Sequence, residues 1–470
     1  MSEIATNRRL ILQGALAGVA LAGAAGAARA DSPPTPKYTR APNLKDDPFV
    51  ARTTAGLVRG APERTVLTFR GIPYGEPTDG ANRFMPPKPA KSWAGVRDAY
   101  VWGPSAPQVP VERYDVLESW DANFDDWPQS EDCLILNVWT PTLRDGKKRP
   151  VLFYLHGGGF HGRSGSRDCF NGANLARIHD VVVVTINQRL NAFGYMYLAH
   201  LDPKFADSGS SGTLDSILAL QWVRDNIAEF GGDPGSVTIF GQSGGGAKVS
   251  ALLGSPAAKG LFHKAIVQSG SMLSGMTREQ AIALTNGVLA NAGLKPGDAS
   301  QLQTMPAEQL VAAMVKAKGT KLSDRAFGPV VDGRTLPAGP YSPQGPAVSA
   351  DVPMMIGTAR TETTMLLGAA DDTVFHLTEA DMRKRLGAMM DGAPPAEVDR
   401  VVAAFRATRP GATPSDLFFH ITTFQRFRSR ALAQAEAKFR QGRAPVYTYE
   451  IGCGLPPRGD PSSMLVHGGL

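Results

Sequence analysis

An apolar run, Val237-Thr238-Ile239-Phe240, leads without a break into Gly241-Gln242-Ser243-Gly244-Gly245, and a helix-like stretch from Ala247 to Leu253 follows at once. A strand, a glycine-flanked serine and a helix in so short a span leave few options. The turn must be sharp and strained, and side chains on its flanks would clash with strand, helix or substrate. The pentapeptide alone is weak evidence: in a chain with 51 glycines it is expected by chance roughly a few tenths of a time. Its setting is specific. Strand, turn and helix together make a nucleophile elbow, and Ser243 is the candidate nucleophile.

Around this turn, strand-like runs alternate with helical patterns. The clearest strands are 151–155, 181–186 and 237–240, followed by 264–267, 353–356 and 446–449. Short, continuously apolar runs such as Val181-Val182-Val183-Val184 suit strands buried on both faces of a sheet. Leu214, Ile217, Leu218, Leu220, Val223, Ile227 and Phe230 recur at helical steps before Gly231-Gly232, which supply a stop. Thr277-Arg278-Glu279-Gln280 is a capping box opening another helix, and 299–318, 378–390, 395–407 and 415–441 also read as helices. The alternation predicts an α/β fold with a mostly parallel central sheet flanked by helices. The stretch from about 277 to 318 is expected outside the sheet as a helical subdomain. No repeat or low-complexity linker divides the chain, so 31–470 reads as one domain.

A second glycine cluster sits where it could serve the same chemistry. His156-Gly157-Gly158-Gly159-Phe160 follows the 151–155 strand. The N–H groups of Gly158, Gly159 and Gly244 could together form an oxyanion hole. Each such donor can be worth about 10²–10³ in turnover.

These stretches resemble the type-B carboxylesterase and cholinesterase-like family. So do Phe69-Arg70-Gly71-Ile72-Pro73-Tyr74-Gly75, the run from Ser130 to Trp139, Phe230-Gly231-Gly232-Asp233-Pro234, Gln268-Ser269-Gly270-Ser271 and Gly328-Pro329-Val330-Val331-Asp332-Gly333. The resemblance spans roughly 50 to 470. It implies the α/β-hydrolase fold, hydrolysis of a small-molecule ester through an acyl-enzyme, a Ser–Glu–His triad and no cofactor or metal. There are departures. Ala106 stands where many relatives carry the cysteine that pairs with the position of Cys133, so that disulfide is absent. Gly244 replaces the usual alanine, and Gln242 the glutamate of the cholinesterases. Trp120 and Trp127 lie near the position of those enzymes' cation-binding aromatic, but they read as ordinary packing, and choline esters are not inferred.

Chain order in this fold runs serine, acid, histidine. The acid belongs just past the 353–356 strand, where Glu362 matches the family's acidic position and Thr363 replaces the glycine that usually follows. The base must come from His376, His420 or His467. His420 lies within a helical stretch, and His376 follows no strand. His467 follows the last strand, and Leu465-Val466-His467-Gly468 resembles the family's histidine motif, so it is the candidate. The chain stops at Leu470, whereas relatives continue for several tens of residues, so the C-terminal part reads as shortened. A shortened end would favour a non-catalytic binding protein on the same fold. The same residues also admit hydrolysis of an amide, carbamate or lactone.

Net charge is +6. Arg8, Arg9 and Arg29 against Glu3 supply part of it, and Lys147-Lys148-Arg149 is the longest basic run. Nothing here points to nucleic acid. Arg8-Arg9-Leu10-Ile11-Leu12-Gln13 resembles a twin-arginine export motif. An Ala/Gly-rich stretch from Leu10 to Ala28 and the small-x-small triplet Ala28-Arg29-Ala30 follow. Ala and Gly drive membrane insertion weakly, so 1–30 reads as a removed signal, with Asp31 the mature start, no stable membrane insertion and a periplasmic or secreted protein. Cys133, Cys169 and Cys453 match no metal spacing and read as plain thiols.

Overall fold

The computed structural model describes residues 47–109, 128–318, 327–368 and 370–452. The export segment with Asp31, Trp120, Trp127, Cys453 and His467 lie outside the described residues.

Three short strands, β1 (Val50–Arg52), β2 (Leu57–Arg59) and β5 (Val96–Asp98), make a small sheet. The central sheet has nine strands: β3 (Ala61–Glu63), β4 (Val66–Pro73), β6 (Ile135–Thr140), β7 (Arg149–Leu155), β8 (Val182–Ile186), β9 (Gly232–Gln242), β10 (Lys264–Gln268), β11 (Met354–Ala359) and β12 (Val446–Ile451). Their order is β12-β11-β10-β9-β7-β8-β6-β4-β3. Neighbours from β12 to β8 are parallel, and β6, β4 and β3 extend the sheet antiparallel. All five residues of β8 are buried, as its continuous apolar run requires. Sequence patterning missed β4 and β6 as strands, because Gly71 and Pro73 interrupt one and Asn137 the other. Asn137 is buried but satisfied: it accepts from the Gly71 N–H and donates to Thr185 Oγ1.

The helices are α1 (Ala173–His179), α2 (Asn191–Tyr195), α3 (Ser211–Asn226), α4 (Gly244–Gly254), α5 (Arg278–Asn291), α6 (Ala307–Lys318), α7 (Thr363–Gly368), α8 (Glu379–Met389), α9 (Pro395–Ala407), α10 (Pro414–Thr423) and α11 (Ser429–Phe439). The main core joins Phe153, Val184, Ile239 and Val267 of the sheet to Ile217 and Val223 of α3, Leu252 of α4 and Ala435 of α11. Helices α5 and α6 instead pack Val288, Leu289, Leu310 and Met314 against Phe193 and Phe205, a second core consistent with the expected subdomain. The Thr277 capping box is formed.

One helix expectation is corrected and another gains detail. The predicted helix 299–318 is a 3₁₀ segment, Pro296–Gln303, followed by α6. The break falls ahead of Pro306, which lacks an N–H and disfavours helical backbone in the residue before it. The stretch predicted helical over 415–441 is helical without a break from Pro414 to Phe439, with a π-helical turn, Phe424–Arg428, between α10 and α11 that the sequence pattern does not show.

Candidate active site

Ser243 occupies the turn between β9 and α4 with φ 55° and ψ −123°. A non-glycine residue held there costs on the order of 1–3 kcal/mol, so its surroundings must impose it. They do so through the backbone. The Ser243 N–H donates to the Gln268 carbonyl across the end of β10 at 2.8 Å, and the Ser243 carbonyl accepts from the Ala247 N–H at 3.1 Å, starting α4. The first turn of α4 directs its free N–H groups and the positive end of its dipole toward the serine.

The glycine loop after β7 lies against this turn. Gly158 and Gly159 have φ of 83° and 61°, a left-handed pair that only glycine adopts at little cost. A Cβ placed on Gly244 would fall 2.3 Å from the Gly159 nitrogen, so the two backbones touch with no side chain between them. Gly158, Gly159 and Ser243 keep partial solvent access, whereas Gly157 and Gly244 are buried. The structure thus brings Ser243, Gly244, Gly158 and Gly159 together.

The start of the loop is pinned by His156, which is buried. Its Nδ1 lies 2.8 Å from the Gly157 carbonyl and its Nε2 lies 2.8 Å from Gln188 Nε2. That network assigns the proton to Nδ1, since Nε2 must accept from the amide. Burial, and then the nearby Lys248 charge, hold the imidazole well below its ordinary pKa, which keeps it neutral. Lys248, buried on α4, donates from Nζ to the His156 carbonyl at 2.8 Å.

Glu362 is buried in the loop after β11, where its Oε1 accepts from the Ala359 N–H at 2.7 Å and its carboxylate accepts from the Ser269 hydroxyl. Burial pushes the carboxyl above its ordinary value. The Ser269 and Ala359 hydrogen bonds and the charge of Arg428 pull it part of the way back. Ser269 sits between Gln268, which binds the Ser243 N–H, and Gly270, which abuts the Ser243 carbonyl, so acid and serine flank the end of one strand. Thr363, in place of the family's glycine, is accommodated: its Oγ1 lies 2.7 Å from Thr422 Oγ1 and bonds the Phe419 carbonyl at 3.1 Å. The π-helical turn directs Arg428 Nη2 onto the Ala359 carbonyl at 3.0 Å and onto Glu450 Oε2 at 2.8 Å.

Of the histidine candidates, His467 lies outside the described residues. His376 is exposed, and burial and then Arg409 hold His420 on α10 down to about 4. Lys248 and Arg428 were not singled out from the sequence, and Ser269 was quoted there only as part of a family-like stretch, with no role assigned. Besides that motif, Lys248 left a local signal, a charge within an otherwise apolar helical stretch. Cys133 and Cys169 are free thiols. Among the described residues no group of three or more His, Cys, Asp or Glu could hold a metal ion, and no helix is long and apolar enough to cross a membrane.

Residues 46–452 match the model of the carboxylesterase family. The chain is 39% identical over 317 residues to para-nitrobenzyl esterase of Bacillus subtilis (strain 168), an alignment covering 67% of this chain and 63% of that protein. Phenmedipham hydrolase of Pseudarthrobacter oxydans is 34% identical over 432 residues, covering 89% of this chain and 80% of the relative. The crystal structure of carboxylesterase EST55 of Geobacillus stearothermophilus at pH 6.2 superposes with a TM-score of 0.74 at 36% identity, covering 89% of this chain and 82% of that one. The match over nearly the whole described chain, together with an α/β-hydrolase sheet, places this protein in the carboxylesterase family.

Proposed function

We propose that this protein hydrolyses carboxylic esters through an acyl-enzyme on Ser243. The observation that carries the reading is the strained Ser243 turn, set at the head of α4 with the Gly158-Gly159 loop against it. In the proposed mechanism Ser243 Oγ attacks the ester carbonyl carbon and His467 takes its proton. The oxygen becomes an oxyanion facing the N–H groups of Gly158, Gly159 and Gly244. Collapse breaks the carbon–oxygen bond to the alcohol, which leaves with the proton from His467. Water then repeats the sequence on the acyl-serine and releases the acid. Glu362 holds the imidazole's tautomer and stabilises the imidazolium. We further propose that the Arg8-Arg9 segment directs export to the periplasm or beyond.

The test is hydrolysis of p-nitrophenyl butyrate by the purified protein beside Ser243→Ala, with a fluorophosphonate probe on both. The variant should lose about 10⁴–10⁶ in turnover and all labelling. A folded wild-type chain that neither turns over nor labels would leave a binding scaffold as the better reading. Matched ester and amide substrates decide which bond is preferred.

A further inference from the structure

The buried lysine beside the nucleophile is unexplained by packing alone. Lys248 is 2% exposed, on a helix that faces β7, β9 and β10. Burial pulls its ammonium down to about 7, and no carboxylate among the described residues offsets that burial. An apolar side chain of the same length would fill the space without taking a charge out of water. It would not satisfy the carbonyl of His156, which leaves the sheet where β7 ends.

The surroundings of that amine specify what it holds. Its Nζ binds the His156 carbonyl at 2.8 Å and lies 5.9 Å from the ring centroid of Phe160, so it sits between the two ends of the His156–Phe160 loop. Gly244 and Lys248 are one turn apart on α4 and share a face. Gly244 meets Gly159, and Lys248 meets His156. The whole loop therefore lies along one face of the helix that begins at the serine.

We propose that Lys248 is a positioning residue: by holding the His156 carbonyl it keeps the Gly158 and Gly159 N–H groups in place against the Ser243 turn, an inference that rests on the ester-hydrolysis reading above. The ammonium touches no substrate and acts only through the loop. Removing it lets the donors drift from the place where the oxyanion forms, while ground-state ester binding is little affected.

The experiment compares wild type with Lys248→Met in the full protein. It measures kcat and KM for p-nitrophenyl butyrate and inhibition by an alkyl trifluoromethyl ketone, which adds to the serine and places an oxyanion in the hole. Active sites are titrated with a fluorophosphonate, so all constants refer to active molecules. The variant should lose about 10- to 100-fold in kcat with KM within about twofold, and ketone inhibition should weaken by the same factor as kcat/KM. Should the methionine variant not fold, Lys248→Gln carries the same readout, because its amide is one bond too short to reach the carbonyl as the amine does. An active wild type whose folded variant keeps kcat and ketone inhibition within twofold overturns the positioning role alone. A wild type without turnover or labelling overturns the esterase reading and this inference with it.

Discussion

Gly270 offers the sharpest test of how tightly the Ser243 turn is held. Its φ is not left-handed, so alanine is conformationally acceptable there and only space forbids it. A Cβ would lie 1.9 Å from the Ser243 carbonyl oxygen, and 2.9 Å from both the Ser243 carbonyl carbon and the Gly246 Cα. All three are backbone atoms, so no side chain can swing away. Restoring even 3.0 Å to the oxygen requires about 1 Å of movement between the end of β10 and the head of α4. That movement works against the Ser243 N–H bond to Gln268 and the Ala247 bond that opens the helix. Overpacking of this kind costs about 1–3 kcal/mol in stability. A 1 Å misplacement of a reacting group can cost about 10²-fold in rate. Gly270→Ala should therefore remain folded, with a lowered melting midpoint, and lose about 10²-fold in kcat on p-nitrophenyl butyrate. Gly297→Ala, with nothing within 4 Å of its Cβ, is the control and should match wild type. A Gly270→Ala protein with unchanged melting and kcat within twofold of wild type would refute the steric argument.

Two further outcomes are expected. Under the proposed mechanism Glu362 must be ionised and His467 neutral, so activity falls as pH drops; burial holds the Glu362 carboxyl above its ordinary value, and the Ser269 hydroxyl is among the groups that pull it back. Ser269→Ala removes a hydrogen bond that favours the charged form. It should move the acidic limb of the kcat/KM profile, which belongs to the coupled Glu362 and His467 together, to higher pH; a limb that moves lower contradicts the assignment. For export, changing Arg8 and Arg9 to Lys should leave precursor in the cytoplasm on cell fractionation, and undiminished export would exclude the twin-arginine route.

What the sequence disclosed about the site was its local part. The Ser243 turn and the glycine loop were legible because each is a strand end whose special residues are contiguous. Glu362 was reachable through the chain order of the resembled fold, as the family-like acidic position just past a recognisable strand. Ser269, by contrast, touches Glu362 only because β10 and β11 are parallel neighbours, a fact of sheet order that no window of sequence contains. Arg428 reaches the acid loop because a π-helical turn re-aims it, and uniform helical periodicity through 415–441 conceals such a turn. Asn137 hid a strand because a polar residue in an apolar run argues for a loop until its two partners are known.

The departure at position 244 acquires a physical meaning from these contacts. Where the family usually carries alanine, this chain has glycine, and the space an alanine Cβ would occupy is filled by the nitrogen, Cα and oxygen of Gly159 at 2.3–2.4 Å. The missing methyl and the direct contact between loop and helix backbone are thus two sides of one arrangement. A loop that leans directly on the helix backbone at Gly244 gains no side-chain stop there, so its other end must be fixed by something else. One turn further along the same face, Lys248 reaches the His156 carbonyl and supplies that fixation. On this argument glycine at 244 and lysine at 248 are coupled. Restoring alanine at 244 pushes Gly159 outward, and the cost of that push depends on whether the lysine still holds the loop at its base.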